Sequence, residues 1–444
     1  MAFLVILSSL LSLLHLSTSA TALSIGVNYG TLADNLPPPS QVASFLKQYT
    51  NIDRIKLFNV DPTILRAFAN TNIAVTVTVG NGDIPALARL PAAQSWITTN
   101  ISPFYPATNI SYIAVGNEII ATADKNLIAH LLPAMRTLQN ALKLAGMTNV
   151  RVSTPHSLGI LSSSEPPSSG RFRRGYDRVI FAPMLDFHRK TKTPFMINPY
   201  PYFGFSEKTL NYALFKPNPG IFDAATGHNY TNMFDAQLDA IYSAMKRLGY
   251  GDVELLVAET GWPSLGDANQ PAVNMENAIS YNGNLIRHVN SGKGTPLMPG
   301  RKFETYIFAL FNENLKPGST AERNFGLFKP DLTPVYDVGV MRAEAPTNPT
   351  TPTGSGSKWC VPKPGVSVQA LQANIDYVCS TGLDCSPIQS GGPCFTPDTI
   401  ESHAAYAMNA YYQSNGRNDF NCDFAQTGTV VTSDPSYGTC KYSS

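Results

Sequence analysis

No cysteine occurs before Cys360, and all six lie between Cys360 and Cys440. The long cysteine-free part cannot be stapled by disulfides and must rest on a hydrophobic core. A chain of 444 residues with 43% apolar content supplies one. Charge is scarce as well: 14% of residues are Asp, Glu, Lys or Arg, against about 25% in ordinary globular proteins. The 32 basic and 31 acidic residues leave a formal net charge of +1, so the basic surplus of a nucleic-acid binder is missing. Beyond the N-terminus no apolar run is long enough to span a bilayer, and the polar C-terminus has no lipid-anchor tail. The marks of metal and nucleotide chemistry are missing too. There is no His-Glu-x-x-His, no Walker loop and no Gly-x-Ser-x-Gly elbow. The expectation is an enzyme or binder with no metal and no cofactor, acting on an uncharged polar partner. Sugars fit that description, and 20 Tyr and 22 Phe supply rings to stack on them.

The N-terminus reads as a cleaved secretory signal. Phe3 to Leu16 is an apolar stretch of suitable length, and Ala20-Thr21-Ala22 is a small-x-small cleavage site. No Lys or Arg precedes the apolar stretch. Asn100, Asn109 and Asn229 each open a glycosylation sequon. Residues 345–357, rich in Pro, Thr, Ser and Gly, read as an extended linker. The expected divisions are a signal at 1–22, a large domain at 23–343, the linker at 344–357 and a small disulfide-rich α+β domain at 358–444.

The large domain alternates strand-like and helix-like segments. Eight strand candidates fall at 24–30, 54–60, 73–80, 111–118, 149–156, 194–203, 253–263 and 303–313. Their apolar runs read as strands buried on both faces, as in a parallel sheet. Helical patterns at 41–49, 127–144 and 232–248 separate some of them. The fold class expected is α/β, a (β/α)₈ TIM barrel. A doubly wound sheet is the alternative, but the first turn, Val27-Asn28-Tyr29-Gly30, lacks Gly-x-Gly-x-x-Gly. Residues 162–174, rich in Ser, Pro and Arg, read as a loop at the mouth after the fifth strand.

Polar and aromatic residues gather at the C-terminal strand ends: Asn28 and Tyr29, Asn59 and Asp61, Asn81, Asn117 and Glu118, His156, Asn198 with Tyr200 and Tyr202, Glu259 with Trp262, and Glu313. Barrel enzymes keep their chemistry at that end. Two of the runs close on a glutamate: Tyr112-Ile113-Ala114-Val115-Gly116-Asn117-Glu118 and Leu255-Leu256-Val257-Ala258-Glu259. Paired carboxylates of this kind suit glycoside hydrolysis, in which one donates a proton and the other stabilises or attacks the sugar. In a retaining enzyme they stand about 5–5.5 Å apart.

The segments Ile25-Gly26-Val27-Asn28-Tyr29-Gly30, Val115-Gly116-Asn117-Glu118, Asn198-Pro199-Tyr200-Pro201-Tyr202, Glu259-Thr260-Gly261-Trp262-Pro263-Ser264 and 311–318 occur in this order. Together they resemble plant glycoside hydrolase family 17. The resemblance implies an endo-β-1,3-glucanase on a (β/α)₈ barrel, with β-1,3-glucan as partner. It implies Glu118 as acid/base and Glu259 as nucleophile, with Glu313, Lys316 and Glu322 close by. Lys316 is the expected counter-charge for Glu259. Asn117 is expected to orient Glu118 or bind a sugar hydroxyl, and Tyr29, Tyr200 and Trp262 are the expected walls of the sugar subsites.

The tail, from Trp359-Cys360-Val361 through Gly391-Gly392-Pro393-Cys394-Phe395 to Tyr437-Gly438-Thr439-Cys440, resembles the X8 module, a glucan-binding domain of carbohydrate-binding module family 43. Six cysteines allow fifteen pairings. The resemblance implies Cys360–Cys422, Cys379–Cys385 and Cys394–Cys440. Trp359, Phe395, Tyr406, Tyr411 and Tyr412 are candidates for a glucan-binding face. The expected protein is a secreted monomer with no membrane anchor and no nucleic-acid partner. Two rivals stand beside hydrolysis: a glucan transglycosylase, and a wall protein that binds glucan without cutting it. A pure binder would tolerate loss of either glutamate, and both are present within their motifs.

Overall fold

The computed structural model describes residues 24–342 and 357–444, apart from 381, 382, 416 and 418. The expected signal at 1–22 and nearly all of the expected linker lie outside the described residues.

The large domain is a closed parallel barrel. Its strands are Ile25–Tyr29, Ile52–Leu57, Ala74–Val79, Ile110–Val115, a fifth in two pieces (Arg151–Ser153 and Pro155–Ser157), Phe195–Asn198, Leu255–Thr260 and Thr305–Ile307. Each pairs with its sequence neighbour, and the eighth returns to the first. One difference from the sequence reading concerns the fifth strand. It breaks at Thr154, whose hydroxyl donates to the Val115 carbonyl at 2.8 Å. The first piece therefore pairs with the fourth strand and the second with the sixth.

Two apolar layers hold the barrel. Outward-facing side chains such as Val27, Ile55, Val77, Ile113 and Val257 meet amphipathic helices that include Pro39–Tyr49, Lys125–Leu144 and Met233–Arg247. The last two are capped at their N-termini by the Asp124 and Asn232 side chains, which accept backbone N–H groups left over by the first turn. The inner layer is separate and small: Tyr112, Met196, Leu256, Ala258 and Tyr306 fill the barrel. The Tyr306 hydroxyl shares a 3.0 Å hydrogen bond with Thr76, so the phenol is satisfied inside the plug.

The tail forms its own core. An antiparallel pair, Trp359–Pro362 with Gly428–Val431, packs with the helices Val368–Ser380 and Ile400–Ser414. Three disulfides, Cys360–Cys422, Cys379–Cys385 and Cys394–Cys440, cross it. Among the described residues no helix is long and apolar enough to cross a membrane.

Because the inner layer has so few members, each matters. Leu256→Ala should destabilise the barrel by about 2–5 kcal/mol, the cost of a cavity among large neighbours. Urea unfolding of the variant measures this, and a loss below about 1 kcal/mol would contradict the inward placement.

Candidate active site

At the C-terminal ends of the strands lies a cleft of about 700 Å³, lined by Glu118, Glu259, Asn117, Asn198, Tyr200, Glu313, Lys316 and Glu322 among others. Two local distortions aim the glutamates. Between Val257 and Thr260 the seventh strand slips against the eighth: Val257 pairs with Thr305, yet Thr260 pairs with Ile307. The extra residue is a bulge, which re-aims side chains. Thr260 accordingly turns outward to the Tyr281 hydroxyl of the helix Met275–Asn290, while Glu259 enters the cleft.

At the end of the fourth strand the chain turns sharply, with Gly116 at φ +67° and Glu118 at φ +53°. A side chain at 116 would meet Ile119 at 2.6 Å and Ile84 at 2.8 Å, so glycine is required. A glutamate in the left-handed region costs about 1 kcal/mol or more and is typical of functional sites. The strain is held by two hydrogen bonds: Asn117 N–H to the Asn81 side chain (3.0 Å) and Glu118 N–H to the Pro155 carbonyl (3.1 Å).

The two carboxyl groups differ in their surroundings. Burial raises the Glu118 pKa, and the nearby Glu259 charge raises it further; the Asn198 amide, donating at 2.9 Å, and the Lys56 charge pull the other way. Glu118 therefore keeps its proton to a higher pH than an ordinary glutamate. Glu259 is 7% exposed and accepts from two groups. Lys56 Nζ lies 3.0 Å from Oε1, and the Tyr200 hydroxyl donates to Oε2 at 3.3 Å. The Tyr200 phenol, raised well above its usual pKa by burial and then by Glu259, remains a donor.

Lys56 is the residue that sequence reasoning missed, and it takes the place expected of Lys316. Lys316 instead faces Glu322 at 3.5 Å and lies over the Phe308 ring at 4.0 Å. It lines the cleft wall and is not the partner of Glu259. Lys56 sits within the apolar run Ile55-Lys56-Leu57-Phe58 and has no solvent exposure. A lysine inside such a strand is almost never buried without a partner, and that was the available signal. Glu313 accepts the Leu32 N–H at 2.9 Å and fixes the first loop against the eighth.

The expected subsite walls need correction. Tyr29 is 2% exposed and meets Phe311 edge-on, and Trp262 is fully buried with its indole N–H donating to the Ala272 carbonyl at 3.0 Å. Both belong to the core, because their apolar faces are claimed by neighbouring helices and loops. Tyr200 does face the cleft, with Phe58, Phe203, Phe308 and Phe325. Phe203 is 68% exposed. His156, at the end of the fifth strand, stacks on Phe195, and burial, aided by His188, lowers its pKa to about 3. It is a core residue. In the tail Trp359, Tyr411 and Tyr412 are buried, and only Phe395 and Tyr406 of the five candidates reach the surface. Asn109 and Asn229 are exposed; Asn100 is half-buried and donates to the Trp96 carbonyl.

A carboxyl group that holds its proton, beside a second one that is ion-paired, is the equipment of a glycoside hydrolase. Residues 25–340 match the glycosyl hydrolases family 17 model, and the chain belongs to that family. Residues 358–429 match the X8 domain. A glucan endo-1,3-beta-glucosidase of Triticum aestivum is 55% identical over 442 residues, covering 96% of this chain and 96% of its own. A glucan endo-1,3-beta-D-glucosidase of Olea europaea is 49% identical over 430 residues, covering 95% and 93%. A solved structure, the beta-1,3-glucanase and pollen allergen of Cryptomeria japonica, superposes with a TM-score of 0.67 at 44% identity. It covers 71% of this chain and 98% of that one.

The Asn198 amide stabilises the ionised form of Glu118, so Asn198→Ala should raise the Glu118 pKa further. Carboxyl-carbon NMR titration reads this directly; a fall, or no change, would contradict the assigned hydrogen bond.

Proposed function

We propose that this chain is a secreted, retaining endo-hydrolase of (1→3)-β-D-glucosidic linkages, held on its polymer by the C-terminal domain. The observation that carries the reading is the unequal treatment of the two cleft glutamates. Glu118 is desolvated and holds its proton to a higher pH than an ordinary glutamate, while both oxygens of Glu259 are met by donors, Lys56 and Tyr200.

In the first step Glu118 gives its proton to the leaving glycosidic oxygen, and Glu259 attacks the anomeric carbon to form a glycosyl ester. In the second, Glu118 takes a proton from water, which displaces Glu259 and restores both groups. Lys56 holds Glu259 in place for attack. Asn117 and Asn198 each carry a buried side-chain oxygen without a hydrogen-bond partner among the described residues. Those oxygens accept sugar hydroxyls, with Asn117 at the 2-hydroxyl. Tyr200 and exposed Phe203 supply ring faces for neighbouring sugars. Glu313, Lys316 and Glu322 form the charged rim on the side of the eighth strand.

The linkage is supported by the names of the Triticum and Olea relatives, which this chain matches over nearly its whole length. The three disulfides support an oxidising, extracellular setting, reached through a signal at 1–22. In this reading the barrel domain spans 23–343 and the X8 module 358–444, and the chain acts as a monomer. The X8 module raises the local concentration of the barrel at the polymer. Its glucan face includes Phe395 and Tyr406, the two candidates that are only half-buried.

Glu259→Ala should abolish turnover on soluble β-1,3-glucan, and Glu118→Ala should lower it by about 10²- to 10⁴-fold, the usual share of a general acid. Near-normal hydrolysis by Glu259→Ala would leave a glucan binder. NMR of the first products should show the β-anomer, and an α-anomer would mean inversion. Products longer than the substrate would show sugar, not water, as the main acceptor. Lys56→Met should lower kcat and move the alkaline limb of the pH profile upward, because the Lys56 charge lowers the Glu118 pKa. An unmoved limb would remove Lys56 from this role. In pull-downs with insoluble β-1,3-glucan, Phe395→Ala with Tyr406→Ala should release the full chain, and undiminished retention would place the face elsewhere.

A further inference from the structure

The charges of this chain balance almost to zero, but one short stretch does not share the balance. Arg171, Arg173, Arg174 and Arg178 lie within residues 171–178, and all four are exposed. The acids along this loop are Glu165 and Asp177, and an Asp177 oxygen is already taken by the Gly175 and Arg178 backbone N–H groups. Among the described residues none of the four guanidinium groups has an ion-pair or hydrogen-bond partner. Other arginines do: Arg54 and Arg189 meet carboxylates, and Arg247 and Arg301 donate to carbonyls.

The loop that carries them is firmly held. Leu161–Ser163 and Arg171–Phe172 form a small antiparallel hairpin. Phe172 is buried and stacks on Phe181 at 4.2 Å. Buried Asp223 accepts both the N–H and the hydroxyl of Ser168, and Arg247 donates to the Ser168 and Gly170 carbonyls. Gly170 lies so close to the helix Met233–Arg247 that a Cβ would come within 2.0 Å of the Ala240 carbonyl oxygen. The arginines are thus mobile only at their tips, on a backbone already ordered, which lowers the entropy cost of binding.

The hairpin grows out of the cleft wall. Ser157, Leu158 and Gly159 line the cleft, and the Arg173 N–H donates to the Ile160 carbonyl at 2.9 Å. Arg171 and Arg173 flank buried Phe172, and both are exposed. A planar guanidinium matches a carboxylate in two parallel hydrogen bonds. Val179, 75% exposed beside Arg178, adds an apolar contact suited to the C–H face of a sugar.

We infer that the 171–178 surface binds an acidic polysaccharide, a polymer of uronic acid units with free carboxylates, alongside the cleft. A nucleic acid fits less well, because a chain of net charge +1 has no broad basic surplus to neutralise a phosphate backbone. The surface would hold the enzyme in a mixed polymer matrix without occupying the glucan site.

The test uses the full chain and native gels that contain polygalacturonate, either unesterified or fully methyl-esterified. The wild type should be retarded by the unesterified polymer alone, and less so as NaCl rises from about 50 to 300 mM. The quadruple variant Arg171→Gln, Arg173→Gln, Arg174→Gln, Arg178→Gln should bind about tenfold or more weakly, the sum of four exposed pairs. Its hydrolysis of soluble β-1,3-glucan should be unchanged, which also reports that it is folded. Equal retardation of the variant, or of the wild type by the esterified polymer, would overturn the inference. So would tighter binding of the wild type to single-stranded DNA than to polygalacturonate. Should the quadruple variant fail to fold, Arg174→Glu alone should weaken retention several-fold, and an unchanged value would overturn the inference equally. Because glucan hydrolysis is read separately, failure of the hydrolase reading and failure of this one are distinguishable.

Discussion

Inside the mouth of the barrel an ammonium group with no access to water stands 3.0 Å from a carboxylate that is almost as deeply buried. Burying either ion alone would cost several kcal/mol, so each residue stabilises the other. Lys56 comes from the second strand and Glu259 from the seventh. Their contact exists only because the sheet closes and brings distant strands across one narrow interior. The bulge turns Glu259 inward to this partner, the Tyr200 hydroxyl takes its other oxygen, and burial, followed by the Glu259 charge, raises the pKa of Glu118.

The same geometry explains why two glutamates of identical chemistry differ. Glu118 has one amide donor and feels the Glu259 charge across the cleft. Glu259 has a cation and a phenol. Strain is spent where it helps: the fourth strand ends with Glu118 in a left-handed conformation, anchored by Asn81 and Pro155 rather than by regular pairing. The inner plug of Tyr112, Met196, Leu256, Ala258 and Tyr306 supplies a rigid floor beneath the site.

Around this centre the chain separates its tasks by stabilising strategy. The barrel relies on burial and needs no crosslink, whereas the tail, too small for a large core, carries all three disulfides. Its aromatic residues illustrate the competition between packing and recognition. Trp359, Tyr411 and Tyr412 serve the core, which leaves Phe395 and Tyr406 at the surface.

Much of this was legible in the residues. Apolar runs of strand length, spaced by helical patterns, gave the barrel, because a strand buried on both faces has a distinctive composition. Glutamates closing two of those runs marked the mouth, because strand ends are ordered along the chain before they are ordered in space. What could not be read was which side chains meet. Lys56 looked like one charge in an apolar strand, and Lys316, nearer in sequence to the other acids, looked like the better partner. Tyr29 and Trp262 sat at strand ends yet turned into the core, since a local bulge or loop decides facing and leaves no clear trace in spacing. The sequence by itself determined the elements, their order and the chemistry available at one end of the barrel. Only the tertiary structure decided the pairings, because closing the sheet fixes distances between residues that the chain keeps far apart.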